Sequence, residues 1–244
     1  MIVEAACESP EDARRAQRAG ADRIELCAAL SLGGLTPSLG LLVETKASTS
    51  LPVIAMVRPR RGGFVYSAEE QKVMERDALA LLAHGADGIA FGALTATGRV
   101  DRPLVRHLVT LARKAGGASV FHRAFDLAAD PDAALLALIG LGVTRVLTSG
   151  QEVMAHDGAP VLRQLIAQSA GRIEIMAGGG VRADTVAALC ESAGCAQVHL
   201  GPRLTVPPPP ADPARPDFGG YDTLDEEAVR AAVAACNPPR PRRS

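Results

Sequence analysis

Tryptophan is missing from the 244-residue chain, and phenylalanine and tyrosine together reach only 3%. So few flat rings leave little for unpaired bases to stack on. The formal charge of −1 supplies no basic field to attract a phosphate backbone or an anionic membrane. Nucleic acid and membrane are therefore poor partners. No apolar run reaches the ~18 residues of a spanning helix, and the chain opens on the strand-like Met1-Ile2-Val3-Glu4-Ala5 with no basic segment and cleavage pattern. These absences predict a soluble, intracellular protein. Cysteine is scarce and odd in number: Cys7, Cys27, Cys190, Cys195 and Cys236 are scattered, which argues against a disulfide framework and for reduced thiols. Cys190 and Cys195 lie close together, but no second Cys or His pair flanks them as a structural zinc site requires. They read as small buried hydrophobes.

What the chain does have is apolar mass and a repeated unit. With 48% hydrophobic residues over this length, it can fill one large core, and a second full domain is not expected. Short apolar runs end near Ala6, Leu26, Val57, Phe91, His122, Leu147, Ala177 and His199, and helix-like segments follow them. Start signals are local and explicit: Ser9-Pro10-Glu11-Asp12, Ser67-Ala68-Glu69-Glu70, Asp101-Arg102-Pro103, Asp130-Pro131 and Arg182-Ala183-Asp184. Gly20, Gly85 and Gly142 supply the matching stops. Eight strand–helix units predict an α/β fold, a single (β/α)8 TIM-type barrel with a proline-rich C-terminal extension. The expected division is a barrel domain over 1–204, an extended proline-rich arm over 205–221 around Pro207 to Pro210, and a C-terminal helix with a disordered tail over 222–244. The helix is expected from Leu224 to Ala235, capped by Asp222 or Thr223.

Chemistry concentrates where strands end, which in such barrels is the catalytic face. Phe121-His122-Arg123-Ala124-Phe125-Asp126 places an imidazole, a guanidinium and a carboxylate within six residues. Strand alternation puts Arg23, Glu25 and Cys27 on one face and groups Glu4 with Ile2 and Ala6, so two carboxylates from neighbouring strands converge. Arg58 and Arg123 are placed to offset their repulsion. Glu4, Glu25, His122 and Asp126 are the acid/base candidates, and a structural ion-pair layer is the competing account. His122 and His199 with Glu4 and Glu25 also form a set that suits a divalent ion. Met176-Ala177-Gly178-Gly179-Gly180 ends a strand before a helix, so Gly178, Gly179 and Gly180 offer unobstructed backbone to an anion. Arg203 is expected to complete that cradle. A tight turn that needs glycine is the alternative.

Six segments in order give a resemblance: Gly20 to Cys27, Gly33 to Ser38, Arg58-Pro59-Arg60, Phe121 to Asp126, Leu147-Thr148-Ser149-Gly150 and Met176 to Val181. Together they resemble the copper homeostasis protein CutC family, over about four-fifths of the chain. The resemblance implies a TIM-type barrel, a cytoplasmic location, homo-oligomers and a link to copper tolerance, and it draws Ser149 into the anion-binding set. It also implies copper ligands: Cys27 and, from the strand-end histidines, His199. Some relatives pair Cys27 with a cysteine near the end of the first strand. Here Ala6 holds that place, and Cys7, one residue on, points to the opposite side of a strand. Two functions stay open: a cytosolic copper-homeostasis protein binding copper weakly through Cys27, or a barrel enzyme using acid/base chemistry on a small anionic or phosphorylated metabolite.

Overall fold

A computed structural model describes residues 1–208 and 219–237. Eight parallel strands close into a barrel in sequence order: β1 Ile2–Cys7, β2 Arg23–Leu26, β3 Val53–Met56, β4 Gly88–Phe91, β5 Ala118–Phe121, β6 Arg145–Thr148, β7 Glu174–Gly178 and β8 Gln197–Leu200. Pairing of Val3 with Val198 joins the last strand to the first. The helices are α1 Pro10–Ala19, α2 Leu39–Ser48, α3 Ala68–Ala83, α4 Arg102–Lys114, α5 Pro131–Leu141, α6 Ala159–Ser169, α7 Val186–Ala193 and α8 Glu226–Cys236. Four of the five start signals act as read; α7, after Arg182-Ala183-Asp184, follows Thr185 with no side-chain cap. Ser9, Ser67, Asp101 and Asp130 each accept a backbone N–H in the first turn of a helix, and Ser67 with Glu70 forms a reciprocal box.

Alternation along the strands sorts side chains into two cores. Val3, Ala5, Cys7, Ile24 and Leu26 face outward beneath the helices, whereas Cys27, Ile54, Met56, Ala90, Val120, Leu147 and Met176 fill the barrel. Cys7 thus belongs to the outer layer. The rest of the interior is polar. Arg23 donates through Nε to Glu4 Oε2 at 2.5 Å and through a terminal nitrogen to Gln197 Oε1 at 3.1 Å. Arg145 reaches the same Gln197 oxygen at 2.9 Å and pairs with Glu174 at 2.6 Å. A buried charge is tolerated only when paired and hydrogen-bonded, and this ladder pairs both guanidiniums, with Arg145 Nη1 left without a partner.

Beyond β8 the chain departs from the sequence reading. Arg203–Val206 (β9) and Tyr221–Leu224 (β10) pair antiparallel, so both ends of the expected arm are strands; 209–218 lie outside the described residues. Leu224 pairs with Arg203 and is fully buried. The closing helix therefore starts two residues later than expected, capped by Asp225 rather than Asp222 or Thr223. The tail expected to be disordered lies, from 238 on, outside the described residues.

Candidate functional site at the barrel mouth

Three residues from adjacent strands meet at the C-terminal end of the barrel. His199 of β8 holds Nδ1 2.9 Å from Glu4 Oε1 of β1, and its Nε2 stands 3.9 Å from Glu25 Oε2 of β2. Burial pushes Glu4 up, but the hydrogen bond and charge of His199 and the guanidinium of Arg23 outweigh it and hold the carboxyl at about 2. Glu25 moves the other way: burial raises it, the nearby Glu4 adds to the rise, and His199 offsets only part. Burial lowers His199, yet the two carboxylates outweigh that and raise it. The result is an ionised Glu4 that favours the protonated form of His199, and a Glu25 biased toward holding its proton. One ligand atom from each of the three lies within 4.8 Å of the others, so they also suit a cation. Cys27 adds a thiol 3.6 Å from Glu25 Oε2, fully buried and pushed well up, first by burial and then by Glu25.

Opposite this group, His122 follows β5. Its Nδ1 accepts the Ala124 N–H at 3.1 Å. Burial, and then the charge of Arg58, hold the ring's pKa at about 3, so the ring is neutral and the proton sits on Nε2. That environment makes His122 a hydrogen-bond donor and a poor base. Its Nε2 is buried without a protein partner, as are Glu25 Oε1 and Arg58 Nε, and all three residues line one cavity of 190 Å³ with Phe64, Arg123, Leu30 and Met56. Buried polar atoms without partners are rare in folded proteins.

Arg58 does not offset the two glutamates as expected. Its terminal nitrogens donate to the carbonyls of Gly33 at 2.9 Å, Gly34 at 3.1 Å and Gly62 at 3.0 Å, and the guanidinium lies over Phe64. Arg23 takes that role. Alternation had already turned Arg23 inward, and its pairing partner across the sheet is Glu4. Asp126 is likewise not free for proton transfer. It accepts from Thr148 Oγ1 at 2.5 Å, Ser149 N at 3.0 Å, Ser149 Oγ at 3.0 Å and Arg123 Nε at 2.7 Å. It fastens the β6 loop to the turn after β5. Arg123 also reaches Ser149 Oγ at 2.9 Å, which leaves Nη1 without a protein partner among the described residues.

The glycine loop packs against this arginine. A methyl on Gly178 would come 2.4 Å from Leu147 Cδ1, and one on Gly179, at φ +120°, 3.2 Å from Arg123 Cζ. These glycines make room for neighbouring side chains, and Gly179 and Gly180 edge a second recess of 580 Å³ that shares Arg123, His199 and Leu30 with the first. Arg203 edges it too but is occupied: it pairs with Glu8 and with Asp12 at 3.0 Å. An arginine between two carboxylates makes a weak anion ligand. A larger groove of 670 Å³ runs beside Thr95, Arg102 and Ala129, but its charged groups are exposed and no buried ionisable group faces it, so the chemistry belongs to the mouth.

The CutC family model matches residues 1–203. The chain belongs to the CutC family. Across 205 residues it is 45% identical to the human copper homeostasis protein cutC homolog, covering 84% of this chain and 74% of that one. A CutC family protein of Treponema denticola is 43% identical over 94% of this chain and 93% of its own. The crystal structure of CutC from Streptococcus agalactiae superposes with a TM-score of 0.77 at 33% identity, covering 82% of this chain and 98% of that one. CutC membership thus joins the barrel, reached independently from strand count and closure.

Proposed function

We propose that the chain serves copper homeostasis in the cytosol, and that the mouth of its barrel takes a small anionic metabolite on which Glu25 performs proton transfer. Family membership and the names of the relatives support the copper role. The five free, buried cysteines suit a reducing compartment. The observation that carries the metabolite reading is the trio of unpartnered buried atoms, Glu25 Oε1, His122 Nε2 and Arg58 Nε, around one cavity. A ligand oxygen supplies what they lack: it accepts from His122 and Arg58 while Glu25 gives or takes a proton beside it. Arg123, with an open Nη1 between the two recesses, offers charge to a phosphate or carboxylate. Glu4 holds His199 as an imidazolium that steadies Glu25 when it ionises.

Thermal-shift titration with inorganic phosphate and a panel of small phosphorylated and carboxylated metabolites tests this reading. A stabilising ligand is expected, with the shift lost in His122→Asn and Arg123→Met. A shift that persists in both variants, or a panel with no hit, overturns it.

A second reading rests on Cys27 beside the Glu4, Glu25 and His199 group: copper held weakly by one sulfur and the neighbouring oxygen and nitrogen donors. Cu(I) favours soft ligands, and this group provides only one thiol, whose proton the ion must displace. Loss of copper uptake on Cys27→Ser, with the cysteines elsewhere intact, is the expected mark of that mode.

A further inference from the structure

Two hydrogen-bond donors are held still in the mouth cavity that Glu25 lines. His122 Nδ1 accepts the Ala124 N–H at 3.1 Å; a nitrogen that accepts carries no proton, so the ring is neutral and its one N–H is on Nε2. Its neighbours fix the ring. Gly92 packs against it so closely that a methyl there would come 2.5 Å from Nδ1, and Phe64 lies tilted beside it with 5.0 Å between ring centres. The same Phe64 ring carries Arg58 Cζ 5.1 Å from its centre, and the carbonyls of Gly33, Gly34 and Gly62 hold the terminal nitrogens of that arginine. Its Nε is left buried with no acceptor. The cavity thus receives one N–H from a neutral ring, one from a fixed guanidinium, and one bare carboxylate oxygen, Glu25 Oε1.

We propose that this cavity takes the carbonyl group of a small phosphorylated α-hydroxy aldehyde or ketone, and that Glu25 moves a proton on the carbon beside it. The proposal rests on the metabolite reading above and adds the substrate class and the reaction. Two donors without acceptors call for an oxygen that accepts twice. A hydroxyl would also have to place its own hydrogen, whereas a carbonyl oxygen offers lone pairs alone. A neutral imidazole suits an oxygen that starts uncharged and gains charge as the reaction proceeds. Glu25 Oε1 takes the hydrogen from the neighbouring carbon; the C–H electron pair becomes a C=C bond, and the C=O pair moves onto the oxygen, where the His122 and Arg58 N–H groups hold the enolate. Glu25 then returns the proton to the former carbonyl carbon while the adjacent hydroxyl proton passes to the enolate oxygen, so carbonyl and hydroxyl change places with no net oxidation. Size agrees with such a substrate. A volume of 190 Å³ equals about six waters at ~30 Å³ each, room for a head of about three carbons. The phosphate then lies in the adjoining recess, beside Arg123 and the N–H groups of Gly180 and Val181, which have no protein partner among the described residues.

The full chain is held in deuterium oxide with dihydroxyacetone phosphate and, separately, with ribose 5-phosphate. Proton NMR follows the carbon-bound hydrogens beside the carbonyl, and a thermal shift on the same mixtures records binding. Deuterium is expected to enter at those carbons well above the rate in buffer, falling on the order of 100-fold in His122→Asn and on the order of 1,000-fold in Glu25→Gln. If the variants fold poorly, the wild type alone decides: 2-phosphoglycolate, with a planar oxyanion where the enolate forms, is expected to bind on the order of 100-fold tighter than glycerol 3-phosphate, which has only hydroxyls there. Equal affinity for those two, exchange that survives either substitution, or stabilisation without exchange overturns the carbonyl assignment and leaves an anion site at the mouth. No stabilisation by any of these compounds overturns it together with the metabolite reading beneath it.

Discussion

At the scale of single residues, environment decides which of several similar side chains does what. Glu4 and Glu25 sit one strand apart, yet Arg23 and His199 hold the first at about 2 while burial raises the second. His122 follows β5 and His199 lies in β8, yet burial holds one at about 3 and two carboxylates raise the other. These opposite shifts separate in pH. His122 has a folded value below its ordinary 6.5, so the stability it contributes is present above 6.5 and is lost as pH falls toward about 3. Glu4 loses its contribution only below 4.5. His199, raised, keeps its full contribution below 6.5 and loses it as pH rises through its folded value. Between pH 6.5 and 4.5, then, His122 weakens the fold as pH falls, while Glu25, raised, takes up its proton more readily in the folded chain and works against that loss. The difference in urea-unfolding stability between the chain and His122→Asn, taken at half-unit steps, is expected to change by up to about 1.4 kcal/mol per pH unit. An equal slope in the variant means the ring is not held neutral by the fold. Sequence placed the two histidines near strand ends and turned Glu25 inward, but it did not give their roles. Alternation tells which way a side chain points, whereas the saturation of Asp126, the capture of Arg203 by Glu8 and Asp12, and the carbonyl partners of Arg58 depend on loops that only the folded chain brings together.

At the scale of elements, the contrast is between local and distant signals. Caps such as Ser67 and Asp130 act within three residues of themselves and were legible. The hairpin of β9 and β10 was not, because its strands stand on either side of a proline-rich stretch that reads as neither helix nor central strand. Its anchor is equally non-local. Asp12, buried in the first turn of α1, accepts from Glu8 N at 3.0 Å, Thr223 Oγ1 at 2.9 Å and Leu224 N at 2.8 Å, and pairs with Arg203 of β9. One carboxylate ties the first helix to both strands of the hairpin and, through Leu224, to the start of α8. Removing it leaves a half-buried guanidinium short of one partner and three donors without an acceptor. Asp12→Ala is expected to cost about 3 kcal/mol and to speed amide exchange at Leu224 more than in the barrel strands, read by hydrogen exchange with mass spectrometry. Uniform exchange throughout the chain, with no excess at the hairpin, counts against Asp12 as its fastener.

For the whole molecule, the question is where the barrel ends. The family match stops at 203, and strand count alone places a complete eight-stranded sheet before that point. The helical ring is not complete there. α8 closes the gap between α7 and α1: it buries Val229 and Ala232, packs Val233 against Gly20, and joins α1 through the Arg18–Glu226 ion pair and the Arg15 hydrogen bond to the Leu224 carbonyl. A parallel sheet needs both faces covered, and without this helix the outward residues of β1 beneath it meet water. A chain cut after 203 is therefore expected to lose its cooperative melt, bind a hydrophobic dye and aggregate, rather than unfold a few degrees early. Calorimetry and dye fluorescence on the truncated and full chains decide the matter. A sharp transition near that of the full chain means that the segment after 203 is an appendage to a barrel already stable, whereas its loss means that the terminal helix is a structural member of the fold.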